Sequence, residues 1–160
     1  MGWNYYPYSE RWLESDGRGG HRNLGVVDVA PGRLDLRAAL TRAHARLGLP
    51  IALAEVHVHG DERERARWML QRHADALAVR AQGVPVVALG AWAAFGMVDW
   101  DSLLRRADGV REDGIYTYAG DAGQPQPTLV CEVVSALAAG RSYHMPAEQG
   151  WWERARTVVG

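Results

Sequence analysis

The sequence predicts an α/β fold, a partial TIM (β/α)8 barrel of about three βα units built on a parallel sheet. Three observations carry that reading. Apolar runs of strand length, beginning near Gly2, Pro50 and Val84, alternate with stretches of helical periodicity. Polar or aromatic residues close each run, Asn4 and Tyr6, then Glu55 and His57, then Trp92, and barrel enzymes gather their sites at the C-terminal ends of their strands. No Gly-rich phosphate turn follows any of the three runs, so a nucleotide-binding wound sheet would lack its fingerprint.

Taken in order, Gly2-Trp3-Asn4-Tyr5-Tyr6 reads as a strand ended by Pro7, with a Gly/Ser/Asp/Arg-rich loop from about Ser15 to Pro31 beyond it. Leu36, Ala39, Leu40, Ala43 and Leu47 recur at helical spacing, with Asp35 as cap and Gly48 as stop, which predicts a helix over 36–47. Pro50 to Gly60 bounds a buried parallel strand that carries an acid, Glu55, in its middle. Strict alternation places Leu53, Glu55 and His57 on one face and Ala52, Ala54 and Val56 on the other. Asp61 caps the next helix, whose Ala66, Met69, Leu70, His73, Leu77 and Ala81 form the expected inward face, with His73 a partly buried structural histidine. Val84 to Leu89 is a third strand, and Gly90 to Gly123 is a long connection with Trp92, Phe95, Trp100, Tyr116 and Tyr118. Gln126-Pro127 opens a last helix with Leu129, Val130, Val133, Val134 and Leu137 inward and Gly140 as its stop. Residues 1–140 are therefore expected to form the barrel part and 141–160 a docked arm or linker.

Composition narrows the function classes. A formal charge of -1 leaves no electrostatic footprint for nucleic acid or an anionic membrane, although every one of the 18 basic residues is Arg. No run approaches the roughly 18 apolar residues of a membrane span, and the single cysteine, Cys131, cannot build a disulfide framework; a cytoplasmic location is expected. Seven tryptophans are many for this length, and the aromatic residues cluster at strand ends and loops, where packing anchors and sugar-stacking residues both occur.

The landmarks Asn4-Tyr5-Tyr6, Glu55 and Trp92 to Trp100 resemble, in order and spacing, those of the family 1 glycoside hydrolases, the β-glucosidase family. There a strand reading Asn-Tyr-Tyr precedes a strand ending in the nucleophilic Glu, and a third strand leads into Trp-Ser-x-x-Asp-Asn-x-Glu-Trp. Here that last motif is Trp92-Ala93-Ala94-Phe95-Gly96-Met97-Val98-Asp99-Trp100. The resemblance implies that Glu55 stands at the nucleophile position of a retaining β-glycosidase. It further implies that Asn4 and Tyr6 contact it or the sugar, that Trp92, Asp99 and Trp100 bind substrate, and that no cofactor is used. Ala93, Gly96 and Met97 replace the family's Ser, Asp and Asn, and the family's Asn-Glu-Pro acid/base motif does not occur in this chain. The chain then corresponds to the last units of the barrel, an enzyme as part of a longer glycoside hydrolase and expected to be inactive alone. Its partners would be a small sugar or glycoside and the missing N-terminal half of the barrel, or a second copy of itself. The resemblance is to divergent bacterial members fused to a domain similar to dTDP-4-dehydrorhamnose reductase, with Gly150-Trp151-Trp152 in the link.

Chemically, a retaining glycosidase needs an ionised carboxylate at the anomeric carbon and a second acid about 5–5.5 Å away. Asn4 and Tyr6, on one face of a neighbouring strand, suit the task of donating hydrogen bonds that keep Glu55 ionised and aimed. Two other readings compete. His57-Val58-His59, with Asp61 or Asp99, has the residue types of a metal-dependent hydrolase. A non-catalytic carbohydrate-binding or interaction remnant would also account for three parallel strands with open edges.

Overall fold

The computed structural model describes residues 1–102, 104–119 and 123–154. Its centre is a parallel sheet of β1 (Gly2–Tyr5), β4 (Ile51–Val56) and β5 (Val86–Ala91) in the order β1-β4-β5. Between β1 and β4 come an antiparallel hairpin, β2 (Arg11–Ser15) and β3 (His21–Gly25), then the short α1 (Val26–Val29) and α2 (Leu36–Leu47). The helix α3 (Glu62–Ala81) joins β4 to β5. Two further antiparallel pairs follow: β6 (Met97–Val98) with β7 (Arg111–Glu112), and β8 (Tyr116–Ala119) with β9 (Gln124–Pro127). The chain then enters α4 (Leu129–Ala138), which packs on α3.

The helix ends follow from local chemistry. Asp35 accepts the Ala38 N–H at 2.9 Å, and Asp61 accepts the Glu64 N–H at 2.8 Å, each satisfying an orphan donor of the first turn. Gly48 closes α2 at φ 66°, a conformation that costs a β-carbon dearly. The last helix begins later than Gln126-Pro127, because those two residues pair with Thr117 and Tyr116 in a hairpin and Thr128 takes the cap position. The predicted loop after Ser15 is preceded by a strand and contains another. Asp16 turns the β2–β3 hairpin by accepting the N–H groups of Arg18 and Gly20 at 2.8 and 2.9 Å. Nearly every residue of that hairpin is exposed, so it has no buried face and no alternation to read.

The core lies between the sheet and the helices, with Ile51, Leu53, Val56 and Val58 of the β4 segment against Leu36 and Leu40 of α2 and Trp68, Met69 and Val79 of α3. Leu53 therefore does not share a face with Glu55. β1 pairs Trp3 with Leu53 but Asn4 with Glu55, and β5 pairs Leu89 with Leu53 but Ala91 with Val56, so β4 holds one extra residue at Ala54 relative to both neighbours. This β-bulge keeps Val56 and Val58 in the core with Leu53 and turns Glu55 to the opposite side. Gly90 makes room for it. A β-carbon there would stand 2.5 Å from the bulged Ala54 carbonyl oxygen.

The buried stripe of α3 also differs from the expected one. Leu77 and Ala81 are exposed, while Arg65, Trp68, Arg72, Ala76 and Val79 are buried. The arginines lie their stems on apolar surface and each head finds at least one partner, while Arg65 Nε and Arg72 Nη1 are buried without a hydrogen bond. Arg72 stacks 4.3 Å over the Trp68 ring and pairs with Asp75 at 3.0 Å, Arg67 reaches Glu148 at 2.8 Å, and Arg65 donates to the Asp113 carbonyl. His73 is half-buried, and burial holds its imidazole below the usual range. Trp152, beyond α4, is buried edge-on against Trp68 at 5.0 Å and donates to Gln71 at 3.0 Å. The final part of the expected arm, 155–160, lies outside the described residues. Among the described residues no helix is long and apolar enough to cross a membrane.

Candidate active site at the strand ends

A cavity of about 1020 Å³ opens at the C-terminal ends of the parallel strands. β1 and its following turn supply Asn4, Tyr6, Tyr8 and Ser9; the β4 segment supplies Glu55, His57 and His59; β5 leads directly into Trp92. Trp100, Glu112, Glu64 and Trp151 complete the wall from later parts of the chain.

Glu55 is half-buried, and its Oε2 accepts the Tyr6 hydroxyl at 2.6 Å. Tyr6 is itself held by the turn at Pro7–Ser9, where its backbone N–H donates to Ser9 Oγ at 2.9 Å and its carbonyl accepts the Ser9 N–H at 2.9 Å. Burial, then the hydrogen bond to Glu55 and the charge of that carboxylate, push the Tyr6 phenol well above its ordinary range. It therefore keeps its proton and acts as donor. Asn4 stands in register with Glu55 on the neighbouring strand and lines the same cavity. Trp92 and Trp100 stack on each other with centroids 5.3 Å apart and planes 22° apart, and both line the cavity.

Of the residues singled out in the sequence, Asn4, Tyr6, Glu55, His57, His59, Trp92 and Trp100 converge on this cavity, whereas Asp99 does not line it. The Asp99 carboxylate accepts the Val110 N–H at 2.8 Å, and its backbone sits at φ 58°, a left-handed conformation that Asp tolerates better than most residues. It closes the loop that leads to β7.

Glu112 is the residue the sequence did not announce. It is 5% exposed, and its Oε1 lies 2.8 Å from His57 Nε2 and 3.0 Å from His59 Nδ1. Burial alone would raise its carboxyl, but the hydrogen bonds and charges of His57 and His59 outweigh that and hold it below the usual 4.5. Glu112 reaches the site because β7 pairs with β6, Met97 opposite Glu112, and Gly96 lets the two backbones meet. A β-carbon on Gly96 would fall 1.9 Å from the Glu112 carbonyl oxygen. The two imidazoles thus spend a ring nitrogen each on one carboxylate oxygen, and among the described residues no group of three or more His, Cys, Asp or Glu is placed to hold a metal ion. His57 is further fixed edge-on to Trp92 at 4.8 Å. Trp151 joins the wall by donating its indole N–H to the His59 carbonyl at 2.7 Å and packing 6.0 Å from Tyr8.

Parallel strands, connecting helices and a cavity at the strand ends make up part of a TIM-type barrel. No protein-family model matches the chain, and no curated protein is significantly similar to it in sequence. Solved structures do match. The chain is similar to a beta-glucosidase from Exiguobacterium marinum at a TM-score of 0.61 and 15% identity, covering 88% of this chain and 35% of that one. It is also similar to the beta-glycosidase BGL167 at a TM-score of 0.54 and 15% identity, over 81% of this chain and 32% of the other. The chain spans about a third of the length of these structures, as a partial barrel would.

Proposed function

We propose that the cavity is the nucleophile side of a retaining β-glycosidase site of the family 1 type, with Glu55 attacking the anomeric carbon of a small glycoside. The observation that carries this is the 2.6 Å hydrogen bond from Tyr6 to Glu55, made between neighbouring parallel strands at their C-terminal ends. A phenol that keeps its proton aims the carboxylate and leaves its other oxygen for the sugar. The β-bulge at Ala54 is what turns Glu55 to the cavity instead of the core. We assign to Asn4, which lines the cavity in register with Glu55, a hydrogen bond to a sugar hydroxyl, and to Trp92 and Trp100 an apolar face for the C–H side of a pyranose ring. The similarity to beta-glucosidases supports the same substrate class.

In this reading the chain acts with the rest of a barrel, whose strands would flank β1 and β5, the two open edges of the sheet. Combining the chain with the complementary segment of a similar barrel should yield turnover of an aryl β-glucoside, and Glu55→Gln should abolish it. Turnover retained in Glu55→Gln would refute the nucleophile assignment. Saturable sugar binding with no turnover in either form would favour a carbohydrate-binding remnant.

A further inference from the structure

We infer that Glu112 is a binding carboxylate of this cavity, its Oε2 accepting a hydroxyl of the sugar ring whose anomeric carbon faces Glu55, an inference that rests on the reading of the cavity as a glycoside site. Glu112 lines the cavity at 5% exposure, and its Oε1 is the oxygen bound to His57 at 2.8 Å and to His59 at 3.0 Å. Its Oε2 makes no hydrogen bond to a described residue. Nor is that oxygen sealed away, since the described side-chain atoms that are both buried and unpartnered belong to Arg65, Trp68 and Arg72. A carboxylate oxygen with free lone pairs on a cavity wall accepts whatever donor a ligand presents there, and a ring that left it unpaired would bind less tightly. Burial would raise the Glu112 carboxyl, but the hydrogen bonds and charges of His57 and His59 hold it below the usual range. It therefore serves as an ionised acceptor, the stronger kind.

The two histidines also fix the acceptor in place. Both end the segment of β4, the middle strand of the sheet, so the anchor of Glu112 lies within this chain and owes nothing to strands that would flank β1 and β5. His57 ties Glu112 to the rest of the site. Its ring stands edge-on to Trp92 at 4.8 Å and edge-on to Tyr6 at 6.2 Å, and the Tyr6 hydroxyl holds Glu55 at 2.6 Å. After burial and Glu55, the charge of Glu112 is a further cause that pushes the Tyr6 phenol up, so both carboxylates bear on one phenol. Glu55 and Glu112 are thus bound to the two members of the Tyr6–His57 pair, and a pyranose with its anomeric carbon at Glu55 presents a hydroxyl from another part of its ring to Glu112. Other carboxylates are spent elsewhere: Glu64 pairs with Arg154 at 3.0 Å, and Asp99, off the cavity, accepts the Val110 N–H at 2.8 Å. Glu112 is a binding and specificity residue and touches no reacting atom.

The test is a ligand panel on the full chain combined with the complementary segment of a similar barrel: methyl β-glucoside and the monodeoxy analogues that each lack one hydroxyl. Removing the hydroxyl that meets Glu112 should weaken binding about 10–150-fold, as for a hydrogen bond to a charged group. Glu112→Gln should shrink that loss to under about tenfold and leave the losses at the other positions as they were. Equal weakening of every ligand, or an unchanged pattern, overturns the assignment. A second measurement needs no variant. A hydroxyl on Oε2 draws charge from Oε1, so the nitrogen-15 resonances of His57 and His59 should move when methyl β-glucoside binds and stay in place with the analogue that lacks the hydroxyl; the same movement with every analogue overturns the assignment. Turnover that depends on Glu55 without the Glu112 pattern removes Glu112 alone. The Glu112 pattern without such turnover removes the nucleophile reading and keeps Glu112 as the acceptor of a carbohydrate site. If none of the sugars binds, both fall.

Discussion

Tyr6 keeps its proton because burial and the Glu55 carboxylate both oppose its ionisation, and that single hydrogen bond aims the candidate nucleophile. Replacing Tyr6 by Phe removes a hydrogen bond to a charged group, worth about 1.5–3 kcal/mol, so reaction at Glu55 should slow by roughly 10–150-fold with the melting temperature little changed. Glu112 predicts a pH dependence of stability. Its folded-state carboxyl is held below the usual 4.5, so it contributes stability above that pH and loses it as the pH falls through the folded value. Denaturant melts should therefore find Glu112→Gln destabilised by about 1–3 kcal/mol at neutral pH, with the gap to the unaltered chain closing as the pH falls below the usual 4.5. A gap that widened on acidification would reverse the sign of the argument. Both residues also show what a sequence conceals. Tyr6 and Glu55 were legible because they end strands, where site residues collect. Glu112 sits in a two-residue strand between Arg111 and Asp113, and nothing in that polar run distinguishes the buried carboxylate from its neighbours.

Helix caps and the parallel strands were legible because each depends on few, local choices: Asp35 and Gly48 bracket α2, and the apolar run after Pro50 gives β4. The face of α3 was not. Arg65 and Arg72 occupy buried positions, so the true stripe looks polar while Leu77, exposed, looks like core. The orientation of Glu55 was hidden for another reason, since a bulge is a relation between strands and leaves no mark on the period of one. Gly90 tests that relation directly. A methyl group there meets the Ala54 carbonyl at 2.5 Å, so Gly90→Ala should cost about 1–3 kcal/mol in denaturant melts and slow reaction at Glu55 beyond what the lost stability explains. The segment after α4 carries a structural load of its own through Trp152, buried at 2% exposure against Trp68. Trp152→Ala should cost about 3–5 kcal/mol, read as a fall in melting temperature.

Among the described residues the sheet has two open edges, and the chain covers only about a third of the solved glycosidases it matches. Val87 on the β5 edge is 66% exposed and lines a groove with Leu77 and Leu137, a surface suited to pairing with another strand. Sedimentation of the chain should show association that rises with concentration, and Val87→Lys should suppress it while leaving the fold intact. The direct test of the central claim is covalent trapping. A dinitrophenyl 2-deoxy-2-fluoro-β-glucoside carries a leaving group that needs no acid, so it reports on the nucleophile alone. With the chain combined with the complementary segment of a similar barrel, peptide mapping by mass spectrometry should find one fluoroglucosyl unit per chain, on Glu55, and none in Glu55→Gln. Label at another residue of the chain, or no label on the folded combination, would contradict the nucleophile assignment.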